Sequence, residues 1–189
     1  MLSVIIATDE SERALVGTLA ALVPGATAGA IREVIVADKG SRDQTAQVAD
    51  VAGCRIMISP APLAGRLRAA AALARSSWLM FLRPGIAPDA TWILEVMRFV
   101  EQAELAGEAT ARTAVFSPGA AAGNAGSPLG RLHSLFRTRP RPEQALVIAK
   151  RRYDSLGGHR DGVADCEADL LRRLARSITV LRTPAIMID

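Results

Sequence analysis

The sequence predicts an α/β fold, a Rossmann-like, mostly parallel mixed sheet flanked by helices. Three observations carry this prediction. Short β-branched runs alternate with stretches of helical spacing over residues 1–88, and strands separated by helices imply right-handed parallel crossovers. The run Trp78-Leu79-Met80-Phe81-Leu82 is apolar at every position, so it has no face to offer water and belongs inside a parallel sheet. Half of the 189 residues are hydrophobic, enough to bury a sizeable core in a single domain.

Taken in order, residues 2–6 form a continuous apolar strand. Leu15, Leu19 and Leu22 then recur at the spacing of one helical face. Residues 33–37 are the second strand. Ser41 and Gln44 follow with the spacing of a capping box, opening a helix to about residue 52. Residues 55–58 read as the third strand, 65–75 as an alanine-rich helix, and 78–82 as the fourth strand. Beyond these, 89–106 is a helix, 113–117 a strand, 119–127 small and polar, and 128–137 a short amphipathic helix. Residues 145–149 and 178–181 are strands on either side of a helix over 164–176, which carries Leu170, Leu171 and Leu174 on one face. The division that results is one domain over 1–189, with a ligand-binding half to residue 88 and a second half over 89–189.

Composition narrows the function. The formal net charge is +4, and arginine supplies 21 of the 23 basic residues, lysine only Lys39 and Lys150. Arginine's planar fork suits phosphate, so anionic ligands are expected. With two Trp, one Tyr and four Phe and no basic stripe among them, a nucleic-acid platform is not. No apolar run reaches the ~18 residues needed to cross a bilayer, and residues 1–6 lack a basic segment and cleavage site. The expectation is a soluble cytoplasmic protein. Arg131, Arg137, Arg139 and Arg141, punctuated by Pro140 and Pro142, read as a basic loop able to touch the inner face of a membrane, at ~1 kcal/mol per charge. Cys54 and Cys166 are too few for a disulfide framework and read as free thiols. His133 and His159 read as surface or loop residues without metal-binding spacing.

Ligands of open α/β sheets sit at the carboxyl ends of the strands. The apolar run ending at Leu82 therefore delivers Arg83-Pro84-Gly85 to that edge, beside Thr8 and Asp38 from the first two strands.

Residues 2–8 (LSVIIAT), 33–45 (EVIVADKGSRDQT) and 72–82 (ALARSSWLMFL) resemble, in order and spacing, the family 2 glycosyltransferases. So do the later Tyr153-Asp-Ser-Leu-Gly-Gly158 and Cys166-Glu-Ala-Asp-Leu170. The resemblance covers residues 1–88 and these two segments; residues 107–142 have no counterpart. It implies a GT-A fold and transfer of a sugar from a nucleotide-diphosphate donor, most simply a UDP-sugar, to an acceptor that the sequence does not name. Residues 1–88 would then be the nucleotide-sugar half and 89–189 the acceptor half. The same resemblance, with eroded motifs, also admits a catalytically inactive relative acting as a nucleotide-binding or partner subunit.

Carried over residue by residue, the resemblance puts Thr8 beside the donor nucleotide and has Asp38 accepting from base or ribose; the alternative for Asp38 is a polar strand end in water. Gly65, Arg66 and Arg68 resemble the donor-side helix. Arg66 and Arg68 would meet phosphate near its N-terminus, or form its wet face. Glu167 and Asp169 stand where the catalytic base is expected, or supply first-turn charge favourable to the helix dipole. Glu143-Gln144 resembles an acceptor-side acidic-Gln pair. The family keeps an Asp-x-Asp motif for a divalent cation, Mn or Mg, where this chain has Arg83-Pro84-Gly85; Lys39 and Cys166 depart from the pattern as well. No metal ligand is assigned. Arg83 either supplies bidentate donors to the diphosphate in place of the metal, or is a solvated loop arginine in a chain that has lost catalysis.

Overall fold

A computed structural model of the chain describes residues 1–118 and 139–188. Its elements are β1 (Leu2–Thr8), α1 (Glu12–Thr27), β2 (Ile31–Asp38), α2 (Thr45–Val51), β3 (Arg55–Ile58), α3 (Leu63–Leu73), β4 (Trp78–Leu82), β5 (Ile86–Pro88), α4 (Trp92–Leu105) and β6 (Thr113–Pro118). A 3-10 turn (Pro142–Gln144), β7 (Leu146–Ala149), α5 (Lys150–Ser155), α6 (Cys166–Leu174) and β8 (Ile178–Met187) complete the described residues. All eight of these strands join one sheet in the order β3-β2-β1-β4-β7-β6-β8-β5. β3, β2, β1 and β4 are mutually parallel. β7 runs antiparallel to both β4 and β6, and β8 lies parallel to β6 and antiparallel to β5.

The period of two along a strand explains the unbroken apolar runs. Leu2, Val4 and Ile6 point into one core with Trp78, Met80 and Leu82, covered by Leu15, Leu19 and Leu22 of α1 and by Val96 and Phe99 of α4. Ile5, Ile35, Leu79 and Phe81 point into the other, covered by Leu67, Ala70 and Ala71 of α3 and by Leu170, Leu171 and Leu174 of α6. Every residue of β4 is buried, and each large apolar side chain so placed contributes roughly 1.5–3 kcal/mol before entropy is counted. Trp92 seats its ring against α1 at Gly25, where any Cβ would overlap the indole.

Several elements differ from the pattern reading. β8 runs on to Met187 because its later residues pair with β5, a three-residue strand too short for periodicity to reveal. Ser41 does not cap α2. Its hydroxyl turns to the Asp38 carboxylate at 2.6 Å, a stronger acceptor, and the helix starts at Thr45, whose N–H donates to Asp43 Oδ1 at 3.0 Å. The segments read as 119–127 and 128–137, with Arg131, His133 and Arg137, lie outside the described residues. Arg139 and Arg141 are exposed. Among the described residues no helix is long and apolar enough to cross a membrane.

Candidate active site

β1 lies between β2 and β4, so the chain leaves β1 in one direction to build β2 and β3 and returns on its other side as β4. A crevice opens at the carboxyl ends of strands where such a reversal occurs. Here it is a cleft of about 700 Å³ lined by Thr8, Lys39, Arg66, Phe81, Arg83 and Glu167, among others. Four of the residues singled out in the sequence thus meet in one place. Asp38 and Asp169 do not line it.

Asp38 lies behind the cleft wall. It is fully buried, and its carboxylate accepts from Thr8 Oγ1 at 2.7 Å, Ser41 Oγ at 2.6 Å, Ser41 N at 2.7 Å and Gly40 N at 2.8 Å. Burial alone would raise its pKa, but these donors outweigh it and hold the carboxyl below the usual range. Four donors fill the lone-pair sites of a carboxylate, so Asp38 ties the turn after β2 to Thr8. A second tie runs through Glu10, whose backbone takes a φ of +48°. Its carboxylate accepts from Arg42 N at 2.8 Å and Asp43 N at 3.2 Å, and its own N–H donates to Ser41 Oγ at 2.9 Å. These contacts lock together the loops after β1 and β2 at the mouth of the cleft. The Lys39–Asp9 ion pair on the rim, 2.7 Å long, is exposed on both sides and adds at most ~1 kcal/mol.

Arg66 forms part of the cleft floor. Projected from α3, it is buried, and its Nη1 donates to the carbonyls of Thr8 at 2.7 Å and Ala37 at 2.6 Å, while Nε has no partner. Burial draws the pKa of this guanidinium below its ordinary value, against the opposing pull of Asp9 and Asp38. Its bonds go to neutral carbonyls, so its positive charge is not cancelled by a bonded carboxylate. Arg68, its neighbour in sequence, faces elsewhere: it donates to the His159 carbonyl at 2.5 Å and pairs with Asp161.

Glu167 enters from α6. That helix starts with Asp165, whose Oδ1 accepts from Glu167 N at 3.0 Å and Ala168 N at 2.9 Å, an N-cap worth about 1 kcal/mol. Arg83, leaving β4, donates from Nε at 2.8 Å and from Nη2 at 2.5 Å to Glu167 Oε2. Its Nη1 donates to Glu143 Oε1 at 3.1 Å, and Nη2 stands 3.9 Å from Asp165 Oδ2. Burial pushes the Glu167 pKa up; Arg83 pulls it down, Asp165 and Glu143 add to the rise, and the outcome is above the ordinary carboxylate value. For Arg83, burial opposes the charged form, yet Glu167, Glu143 and Asp165 prevail and raise its pKa.

Asp169 turns from the cleft toward Arg173, at 2.9 Å. His159 corrects its surface reading. The imidazole is buried, stacks edge-on against Phe81 at 5.0 Å and shares a 2.8 Å hydrogen bond with the Tyr153 hydroxyl through Nδ1. Burial, with Arg173 and Arg68 nearby, takes its pKa down to about 3. Cys166 is buried and its thiol is pushed up to about 11, so it is an unreactive packing residue. Sequence reasoning missed Asp165 and gave Glu143 no ionic role. The N-cap position of Asp165 before an acidic first turn was the available signal for the former. Gln144 is buried and donates from Nε2 to the Phe116 carbonyl at 2.7 Å, anchoring the turn that aims Glu143.

Parallel strands that end in one cleft, joined in the same sheet to antiparallel strands, make up the GT-A fold of glycosyltransferases, and the chain has this fold, with helix α6 bringing a carboxylate to the cleft. Solved structures similar to it include TarS of S. aureus, residues 1–349 (TM-score 0.67, 16% identity, 95% of this chain and 57% of that one); glucosyl-3-phosphoglycerate synthase from Mycobacterium tuberculosis (0.69, 15%, 100% and 72%); and the mannosyltransferase PcManGT from Pyrobaculum calidifontis (0.72, 13%, 97% and 54%). The chain therefore spans little more than half the length of two of them. No family model and no curated protein sequence matches the chain. TarS was solved with UDP-GlcNAc, the synthase with Mn2+ and UDP, and PcManGT with GDP-Man and Mn2+.

A divalent cation does not suit the residues that follow β4 here. Hard cations need several oxygen donors, whereas Arg83 brings a guanidinium, and the carboxylates nearest it, Glu143 and Glu167, are already bonded to it. Among the described residues no three His, Cys, Asp or Glu side chains gather as a metal site.

Proposed function

We propose that the chain is a glycosyltransferase that moves a sugar from a nucleotide-diphosphate donor, with a UDP-sugar the first to test, onto an acceptor hydroxyl. The observation that carries this reading is the cleft itself. A carbonyl-anchored arginine, Arg66, lies on its floor without a bonded carboxylate, and a carboxylate with a raised pKa, Glu167, stands on its wall. The donor's diphosphate lies over Thr8 and Arg66. Glu167 takes the proton of the acceptor hydroxyl as its oxygen attacks the anomeric carbon, the bond from that carbon to the β-phosphate oxygen breaks, and the nucleoside diphosphate leaves. Arg66 answers the charge that builds on the leaving group, and a raised pKa suits a group that must accept a proton near neutrality. UDP- and GDP-bearing relatives in the same fold support the donor class.

The test is a titration of UDP and GDP, with and without Mn2+, followed by thermal shift. A ligand bound to the folded state alone adds ~2.7 kcal/mol of apparent stability at a hundredfold excess over its Kd. The expected result is stabilisation by one nucleotide, together with UDP-sugar turnover that Glu167→Gln abolishes. Failure of every nucleotide to raise the Tm would overturn the donor reading and leave the scaffold to a partner-subunit role.

A further inference from the structure

Two arginines reach the cleft, and their surroundings differ in kind. Arg66 is held by neutral carbonyls alone. Arg83 sits among three carboxylates from two elements: Glu167 in the first turn of α6 and Asp165 at its cap, and Glu143 on the 3-10 turn. One positive charge against three negative ones leaves a local excess of negative charge. A diphosphate arriving at Arg83 would meet that excess, whereas at Arg66 it would meet a cation with no bonded counter-charge. The geometry points the same way. Nε and Nη2 both converge on a single oxygen of Glu167, Oε2, and among the described residues Oε1 carries no hydrogen bond. A planar guanidinium holding a carboxylate by one oxygen fixes its orientation while leaving the other oxygen to act.

Resting on the reading of Glu167 as base, we propose that Arg83 is its positioning residue and not a contact of the donor's diphosphate. Arg83 clamps Oε2 and presents Oε1 to the acceptor hydroxyl, and Glu143 and Asp165 keep the guanidinium itself in register. Asp165 does this while capping the helix, so the start of α6 and the clamp share one side chain. The charged groups facing Glu167 are then Arg83 from the end of β4, Glu143 from the turn and Asp165 from the cap. Arg141 and His159 line a small cavity beside it, His159 in its neutral form.

The test reads Glu167 directly. In protein carrying 13C-labelled glutamate, the side-chain carboxyl of Glu167, assigned by its loss in Glu167→Gln, is titrated by NMR in the unaltered chain and in Arg83→Gln, Arg83→Lys and Glu143→Gln. UDP affinity is measured on the same samples. Removing an adjacent guanidinium raises a carboxyl pKa by about 1–3 units, so the Glu167 midpoint should rise by at least about one pH unit in Arg83→Gln and partly return in Arg83→Lys. It should fall in Glu143→Gln, which removes a like charge. Movement in opposite directions is not what general loosening of the fold produces, and Glu143→Gln decides the matter should Arg83→Gln fail to fold. UDP affinity should stay within about threefold throughout. A midpoint that does not move in Arg83→Gln, or that rises in Glu143→Gln, overturns the proposal, as does a tenfold loss of UDP affinity in Arg83→Gln, which would make Arg83 a phosphate contact. The two readings fail separately: binding of neither UDP nor GDP by the unaltered chain removes the donor, whereas an unmoved midpoint removes the clamp with donor binding intact.

Discussion

Replacing Asp38 by Asn removes one charge and turns one acceptor oxygen into an NH2 group, in surroundings made wholly of donors. The amide oxygen can keep the two backbone donors, Gly40 N and Ser41 N. The NH2 group then faces the hydroxyls of Thr8 and Ser41, which sit 2.7 and 2.6 Å from the native carboxylate. Both hydroxyls must turn round to accept, and Ser41 Oγ already accepts from Glu10 N. A hydrogen bond to a charged group contributes about 1.5–3 kcal/mol and a neutral one about 0.5–1.5. Losing charge assistance on four bonds, with some relaxation, therefore costs about 2–4 kcal/mol. At ~2–4 °C per kcal/mol for a chain of this size, the Tm falls by roughly 4–16 °C. The assay is urea unfolding of Asp38→Asn against the unaltered chain at pH 7 and at steps down to pH 3. Asp38 titrates below its unfolded value when folded, so its contribution is complete above the unfolded pKa of ~3.9 and is lost as pH falls through the depressed folded value. The stability gap should be flat from neutrality to about that pH and close below it. A gap under ~0.5 kcal/mol at pH 7 would mean that the carboxylate is not saturated by its own chain and is left for a ligand, the role that the family resemblance implies.

Two further outcomes are expected. Gly158→Ala should destabilise the protein by about 2–4 kcal/mol in the same assay: its φ is +63°, and a Cβ there would lie 2.7 Å from Cζ of Tyr153, a ring pinned between Phe81 and His159, so steric overlap adds to the cost of a left-handed non-glycine residue. His159, folded with a pKa of about 3, contributes stability that is complete above its unfolded pKa of ~6.5 and is lost as pH falls toward the folded value, at ~1.4 kcal/mol per unit; urea unfolding of His159→Gln should show a flatter stability profile between those two values than the unaltered chain.

What could be read in advance follows from which forces are local. β1, β2, β4 and α1 announce themselves because each carries its apolar pattern over five residues or more, and the rule for open sheets put Thr8, Asp38 and Arg83 at one edge, of which Thr8 and Arg83 line the cleft and Asp38 lies behind its wall. β5, with three residues, and α5, with six, are shorter than the windows over which periodicity speaks. Ser41 has the right spacing for a cap, but a carboxylate three residues earlier outcompetes a backbone N–H, and nothing in the spacing says so. His159 follows two glycines and looks like a loop residue; its burial depends on Tyr153 and Phe81, and Phe81 is remote in the chain. The pairing of Arg83 with Glu167 spans 84 positions, so either residue, read alone, has the charge for a role that the other partly occupies.

β4 hydrogen-bonds to β1 on one side and to β7 on the other, which welds the strands behind both banks of the cleft into a single sheet. Such a frame has no hinge about which one half can swing over a guest. Accommodation of a substrate must come from loops and from the rotation of individual side chains, so loading the site should leave the molecule's overall dimensions unchanged in X-ray scattering while slowing amide exchange at the segments after β1 and β2.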